Sequence, residues 1–286
     1  MIAAVVVTYS APAETLDRCL RALLDTEGLD RIVVVDTGGS AVVAPDLAGT
    51  VELHPTDNRG YGAAANAGRQ LLAGADAIAL LNDDVVVQPG WLAPLVAALA
   101  DDRVGAVQPI LVGVDHSLVA SAGVELDRFG AGTDIGDGAS PPSGEPGAIK
   151  IFNGGTVLFD TDFLDDVGGF DERYFLYYED VDLALRGTER GWTYLLVPAS
   201  VVEHRRGTTT ATMADLTRFY QERNRLWAVV RFATVPTIGR AFWLSVRRLR
   251  HRPRGVHRRA LIAGAGGVPR RLIERFRAPG TRTAHR

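Results

Sequence analysis

Residues 31–36 read RIVVVD, four consecutive β-branched side chains closed by a carboxylate. β-Branched residues suit a pleated surface better than the crowded turns of a helix. A run with no polar alternation has both faces covered, which is the pattern of a parallel strand inside an α/β layer. Residues 3–7, AAVVV, repeat that pattern earlier in the chain, and a helical pattern over 14–24 lies between them. Working outward, the periodicity predicts strands at 2–8, 31–36, 51–53 and 77–81, and helices at 14–24, 61–72 and 90–100. Such alternation predicts a doubly wound, mostly parallel sheet flanked by helices, with functional groups past the carboxyl ends of the strands.

Beyond a strand at 104–110 the pattern loosens. Residues 130–147, GAGTDIGDGASPPSGEPG, have the composition of a loop, serving as a lid or as a connector. Order resumes at 149–159, followed by a short helix at 161–167, a helix at 179–190, strands at 193–197 and 201–204, and arginine-studded helices from 214. The expected division is a domain over 1–210 and a helical extension over 211–286. The net charge of -3 conceals an asymmetry, since residues 240–286 hold 14 arginines and a single acid, Glu274. An acidic body thus carries a basic arm suited to an anionic partner. The one cysteine, Cys19, excludes an intrachain disulfide and a thiolate metal cluster and reads as a small core residue. The first residues lack a basic n-region and an apolar run long enough to span a bilayer, which predicts a cytoplasmic protein.

Chemistry-bearing residues collect at the predicted strand ends. Thr8-Tyr9 and Asp36 would set a ring beside a carboxylate. A carboxylate accepts the N3–H of uracil or thymine and Tyr9 offers apolar contact; the competing reading of Asp36 is a turn residue before Thr37-Gly38-Gly39. Strand 77–81 runs into Asn82-Asp83-Asp84, a group that suits Mg2+ or Mn2+. On extended backbone Asp83 and Asp84 point apart, so one of them is the direct ligand. His204 is a solvated loop histidine unless Asp84 brings it a metal. Residues 177–183, YYEDVDL, put Glu179, Asp180 and Asp182 behind two rings. These acids either cap a helix or join a core network, or one of them, its pKa raised beside the aromatic wall, serves as a general base.

Together these residues resemble the family 2 glycosyltransferases, nucleotide-sugar enzymes of the GT-A fold. The resemblance covers residues 1–207, is most specific over GGFDERYFLYYEDVDLALR at 168–186, and is similar to the rhamnosyltransferase branch that builds bacterial cell-wall and surface polysaccharides. It implies that Thr8, Tyr9 and Asp36 hold the base and that Asn58, Gly60 and Asn66 border the donor. Asn82-Asp83-Asp84 would be the DXD-type element, with Asp84 on a divalent cation completed by His204. Asp180 would be the catalytic base with Glu179 as its substitute, and Asn153-Gly154-Gly155 would contact donor or acceptor. A segment at 220–224, YQERN, also resembles related transferases. The implied reaction is inverting transfer of a sugar, L-rhamnose from dTDP-L-rhamnose or another sugar from a UDP donor, onto a glycan or a lipid-linked saccharide.

Two other readings compete. Gly60, Gly62 and Ala65 make a loose G-x-G-x-x-A match with Asp83 downstream, as an NAD(P)-dependent oxidoreductase would have. Five residues separate the preceding strand from Gly60, which counts against it. The arginine-rich tail would also suit a nucleic-acid binder, but no recognition fold accompanies it and the acidic body repels a polyanion, so no nucleic acid is expected. Trp227, Val230, Phe232, Val235, Phe242, Trp243, Leu244 and Leu249 alternate with arginines in a pattern suited to the headgroup plane. This predicts peripheral binding to the inner face of the plasma membrane; the competing reading is a helical cap on the catalytic domain or a homodimer face.

Overall fold

A computed structural model describes residues 1–205 and 213–277. The expected domain boundary at 210/211 lies outside the described residues. In chain order the first half comprises β1 (Ile2–Thr8), α1 (Ala13–Leu24), β2 (Arg31–Asp36), β3 (Val51–Pro55), α2 (Tyr61–Leu71), β4 (Ala77–Asn82), β5 (Val85–Val87), α3 (Leu92–Leu99) and β6 (Val104–Val112). Then follow β7 (Val119–Ser121), β8 (Val124–Leu126), β9 (Gly132–Asp134), β10 (Gly147–Ile149), β11 (Thr156–Asp160), α4 (Thr161–Val167), α5 (Glu179–Glu189) and β12 (Thr193–His204). The described chain closes with α6 (Ala214–Phe232), α7 (Val235–Arg248), α8 (Arg254–Gly266) and α9 (Val268–Arg277).

The central sheet runs β10-β12-β6-β11-β4-β1-β2-β3, with β5 against β12 and β7 against β6. β3, β2, β1 and β4 are mutually parallel, as are β6 and β12. β11 is antiparallel to both β4 and β6, so the mostly parallel sheet is mixed at its centre. Reversal of this single strand brings the amino end of β11 to the edge where β1, β2, β4 and β12 finish. The continuous apolar runs divide between the two faces as the pleat requires. Val5, Val33 and Leu80 pack under α2 and the aromatic residues around α5, whereas Val6, Val34 and Leu81 pack against α1 and α3. Cys19 is 1% exposed within the second of these cores.

Three local expectations change. Residues 149–159 comprise the last residue of β10, a connection through Asn153-Gly154-Gly155, and β11 from Thr156. Residues 193–204 are one strand, β12, whose register against β6 shifts between Val197 and Val201. Pro198 falls in the shift, where it has no ladder hydrogen bond to give up, and the Ser200 hydroxyl there donates to the Trp91 carbonyl at 2.7 Å. The segment 130–147 is not wholly loop. Its β9 pairs with β8, and Tyr178 anchors it, donating from its hydroxyl to the Gly130 carbonyl at 2.8 Å and accepting from the Gly132 amide at 3.1 Å.

Candidate active site

Parallel register aligns three strand ends. Thr8 lies opposite Asp36, and Val7 lies opposite Asn82. Tyr9, just past β1, is 39% exposed. Asp36 is 2% exposed, and one of its oxygens accepts from the Gly38 and Gly39 amides, both at 2.9 Å, while the other accepts from Ala41 at 2.9 Å. Those bonds build the turn after β2, as the turn-forming reading of Asp36 has it. Asp83 and Asp84 occupy the turn between β4 and β5 instead of extended backbone, and they still diverge. Burial pushes the Asp83 carboxyl up to about 6, against hydrogen bonds from the Thr8 hydroxyl and the Tyr9 amide. Asp84 faces the other way, toward His204.

The Asp84–His204 pair spans 120 residues of sequence and is made by one ladder. β5 begins immediately after Asp84 and pairs antiparallel with the end of β12, placing His204 opposite Val85. His204 Nε2 then lies 3.4 Å from Asp84 Oδ1, and the Arg205 amide donates to the Asp84 carbonyl at 3.0 Å. Asp84 Oδ1 is buried without a hydrogen-bond partner. A desolvated, unsatisfied carboxylate oxygen beside an imidazole is a donor set that fits a divalent cation. Among the described residues no cluster of three or more His, Cys, Asp or Glu forms, so a cation here would take its remaining ligands from substrate or water.

The aromatic-acidic stretch is held in unusual backbone geometry. Phe175, Tyr177 and Tyr178 have φ of 66°, 65° and 69°, the left-handed region that bulky residues rarely enter. Interlocking contacts hold them there. The Phe175 carbonyl accepts from the Tyr61 amide at 2.7 Å, filling the amino end of α2. Gly60, with φ of 99°, makes this approach feasible, because a Cβ there would sit 2.2 Å from that carbonyl oxygen. Asn58 accepts from the Gly60 amide at 3.1 Å. The Tyr61 amide at this helix start is taken by a protein carbonyl and is not available to a pyrophosphate, which counts against the dinucleotide reading. Asn66, expected to border the donor, engages its amide within the fold. Its amide group accepts from the Phe170 N–H at 2.9 Å and donates to the Phe170 carbonyl at 3.0 Å, so it clamps the aromatic segment to α2.

From α6, buried Asn224 donates to the carbonyls of Tyr174, Leu176 and Tyr177 at 2.9, 2.9 and 2.7 Å. This clamp lies inside the 220–224 segment, but an asparagine on a helix carries no signal of which distant carbonyls it will meet.

Asp180 and Glu179 open α5 in different environments. Asp180 accepts from the Gly154 amide at 3.1 Å and from the Val181 amide at 2.8 Å, and a Tyr61 hydroxyl bond of 2.8 Å to the Gly154 carbonyl steadies that turn. Burial raises the Asp180 carboxyl above its ordinary value. Glu179 is 7% exposed, has one oxygen with no partner, and burial followed by the charge of Asp180 pushes it up to about 8. Burial thus favours the protonated form of both carboxyls, and the charge of Asp180 adds to the effect at Glu179. Of the two, Asp180 alone lines a cavity of about 810 Å³.

The C-terminal extension also lines that cavity, with Arg218 and Arg225 of α6, Arg247 of α7 and Arg252 between α7 and α8. The extension is thus built into the site. Arg231 of α6 pairs with the fully buried Asp182 at 2.9 Å, and Arg271 of α9, 2% exposed, pairs with Asp171 at 2.8 Å. Trp227 and Val230, expected at a lipid surface, instead pack inward. Trp227 meets the Tyr174 ring at 5.8 Å and lies under the guanidiniums of Arg223 and Arg271, and Val230 is 1% exposed. Val235 and Trp243 of the same set are exposed. No described helix is long and apolar enough to cross a membrane.

The family pattern of "Glycosyl transferase family 2" matches residues 3–126, and that of "Glycosyl transferase family 21" matches residues 69–245. An N-acetylglucosaminyl-diphospho-decaprenol L-rhamnosyltransferase of Mycobacterium tuberculosis is 33% identical over 237 residues, covering 72% of this chain and 76% of its own. A pre-mycofactocin glycosyltransferase of the same organism is 29% identical over 69% of this chain and 42% of its own. Among solved structures, GalNAc-T7 with UDP, GalNAc and Mn2+ superposes with a TM-score of 0.66 at 15% identity, over 97% of this chain and 58% of that one. The mannosyltransferase PcManGT of Pyrobaculum calidifontis, in complex with GDP-Man and Mn2+, superposes at 0.56 with 17% identity, over 94% of this chain and 86% of that one. The two structural likenesses show the fold alone. With its sheet, its helices and a 33% identical relative across most of both chains, this protein belongs to glycosyltransferase family 2 and is a nucleotide-sugar hexosyltransferase of the GT-A fold.

Proposed function

We propose that the protein is an inverting transferase that moves L-rhamnose from dTDP-L-rhamnose onto a hydroxyl of a saccharide carried on a polyprenyl diphosphate, in the synthesis of a cell-wall or surface polysaccharide. The transferred sugar and the acceptor class follow the rhamnosyltransferase relative, and the dTDP carrier follows the family resemblance of the sequence. The observation that carries the reading is the division of labour at α5, where Glu179 is buried and absent from the cavity lining while Asp180 lines the cavity with its carboxyl oriented by the Gly154 amide.

In this reaction Asp180 takes the proton of the acceptor hydroxyl as that oxygen attacks the anomeric carbon. The new C–O bond forms as the bond to the donor's phosphate oxygen breaks from the opposite face, and the nucleoside diphosphate leaves with the electron pair. A raised carboxyl pKa makes Asp180 a stronger base than an exposed aspartate. Asp84 and His204 would hold Mg2+ or Mn2+, which supplies charge stabilisation for the leaving diphosphate when bound. Tyr9 and Thr8, with Asn82 and Asp83 next to them, would border the nucleotide, and Gly154 would set the floor between donor and acceptor. Residues 1–205 form the catalytic layer in this proposal, and the C-terminal helices complete it.

The test is calorimetry of dTDP-L-rhamnose, UDP-glucose and UDP-galactose with and without Mn2+, on wild type and Asp84→Ala. We expect metal-dependent binding of dTDP-L-rhamnose that the substitution abolishes; preference for a UDP-sugar would replace the donor. Asp180→Asn should keep donor affinity and lower kcat by about 10² to 10⁴-fold. Near-normal turnover in that variant would remove Asp180 from the role.

Peripheral membrane contact is part of the same proposal. Trp243, Ile262 and Phe276 are 54%, 66% and 81% exposed on helices rich in arginine, a composition that suits anionic headgroups. Co-sedimentation with phosphatidylglycerol vesicles at low salt is expected, and its absence with the tail intact would count against it.

A further inference from the structure

The basic wall of the 810 Å³ cavity carries more positive charge than the protein neutralises. Glu222, the acid that lies among these cations, is already engaged by Arg248 at 3.2 Å and by His257 at 2.7 Å. Arg218, Arg247 and Arg252 make no ion pair with any described residue, and Arg247 rests on the Trp243 ring at 5.4 Å. Behind them Arg225 is 2% exposed. Its guanidinium donates only to neutral groups, the Phe129 and Ala241 carbonyls at 2.8 and 3.3 Å and the Ser245 hydroxyl at 2.6 Å, and its Nε has no partner. A buried guanidinium without a carboxylate is costly, and a cavity offering it and three further free guanidiniums is complementary to a multiply charged anion.

Position decides which anion. Asp84 and His204, where the donor's diphosphate would sit, do not line this cavity, whereas Asp180 does, together with the arginines. Resting on the reading of Asp180 as the base, we propose that Arg218, Arg225, Arg247 and Arg252 form the subsite for the acceptor's own diphosphate, holding it so that the attached sugar reaches Asp180. The C-terminal helices would then select acceptors carrying a diphosphate ester over neutral glycosides of the same sugar. Planar guanidinium forks suit this role, since each can present two N–H groups to phosphate oxygens.

The experiment is calorimetric binding of decyl diphosphate to the full chain without metal or donor, with decyl maltoside as a control for the alkyl chain. Wild type should bind decyl diphosphate and not the maltoside. Arg247→Gln/Arg252→Gln should weaken it by about tenfold or more, as expected from loss of two charge-assisted contacts at exposed positions, while dTDP-L-rhamnose affinity with Mn2+ moves less than twofold. In transfer assays the same variant should raise KM for decyl-diphospho-N-acetylglucosamine without raising KM for decyl N-acetylglucosaminide. Equal binding by wild type and variant, no binding by wild type, or a shift in donor affinity instead would overturn the proposal. Displacement of decyl diphosphate by phosphatidylglycerol vesicles, with both lost together in the variant, would assign the arginines to bilayer headgroups and overturn it as well. Failure of every sugar nucleotide to bind would instead undo the transferase reading and leave the decyl diphosphate measurements unaffected.

Discussion

Replacing Glu179 by glutamine tests the buried neutral carboxyl at the start of α5. Glu179 is 7% exposed and held up to about 8 from an ordinary 4.5, first by burial and then by the charge of Asp180. The folded protein therefore keeps a proton that the unfolded chain releases once pH exceeds the ordinary value. Wild-type stability is accordingly unaffected by this group below about pH 4.5, falls as pH rises, and levels off above about pH 8. Each tenfold change corresponds to about 1.4 kcal/mol, so the full loss approaches about 4–5 kcal/mol. Glutamine keeps the shape and cannot ionise, so Glu179→Gln should lack this loss. Urea unfolding of both proteins at intervals from pH 5 to 9 gives the difference directly, because every other titrating group except coupled Asp180 is shared unchanged. The variant should gain on wild type by about 1 kcal/mol per pH unit through the middle of that range. A difference that stays flat between pH 5 and 8 would mean that Glu179 is ionised at neutral pH, and the assignment of Asp180 as the sole base would lose its electrostatic support.

Asn224→Ala removes three hydrogen bonds to the carbonyls that surround the left-handed residues. The Asn224 NH2 group shares two hydrogens among the three carbonyls, so the substitution should cost about 2 kcal/mol of stability and lower kcat more than donor affinity, both read from unfolding and steady-state kinetics. Gly60→Ala sets a Cβ against the Phe175 carbonyl at a φ of 99° and should destabilise by about 1–3 kcal/mol or more, whereas alanine at Gly74, also at positive φ but with open space around it, should cost less. His204→Ala should weaken Mn2+-dependent donor binding without altering the unfolding midpoint measured in chelator.

Much of this arrangement was legible in one dimension because it rests on local chemistry. Runs such as Ile32-Val33-Val34-Val35 are strands covered on both faces wherever they occur, and a carboxylate closing such a run falls at the carboxyl edge of the sheet. The grouping of Thr8, Asp36 and Asn82-Asp83-Asp84 follows from that rule alone. Asp36 shows its limit. The residue type suited both a base and a turn, and only the path of residues 37–41 revealed that three backbone amides occupy its carboxylate.

What tertiary structure alone decided are the relations between distant segments. His204 meets Asp84 because β5 pairs with the end of β12, and a short edge strand has little periodicity from which to read its partner. Glu179 and Asp180 are adjacent and chemically alike in sequence; the Gly154 turn and the aromatic wall give Asp180 a cavity and leave Glu179 buried outside it. The arginines of the tail read as an arm for an outside anion, because composition records charge but not the direction in which a helix presents it. Packing turned Arg231 and Arg271 onto buried acids and brought Arg218, Arg225, Arg247 and Arg252 to a cavity shared with Asp180, since desolvated charge requires partners that only the folded chain can bring close.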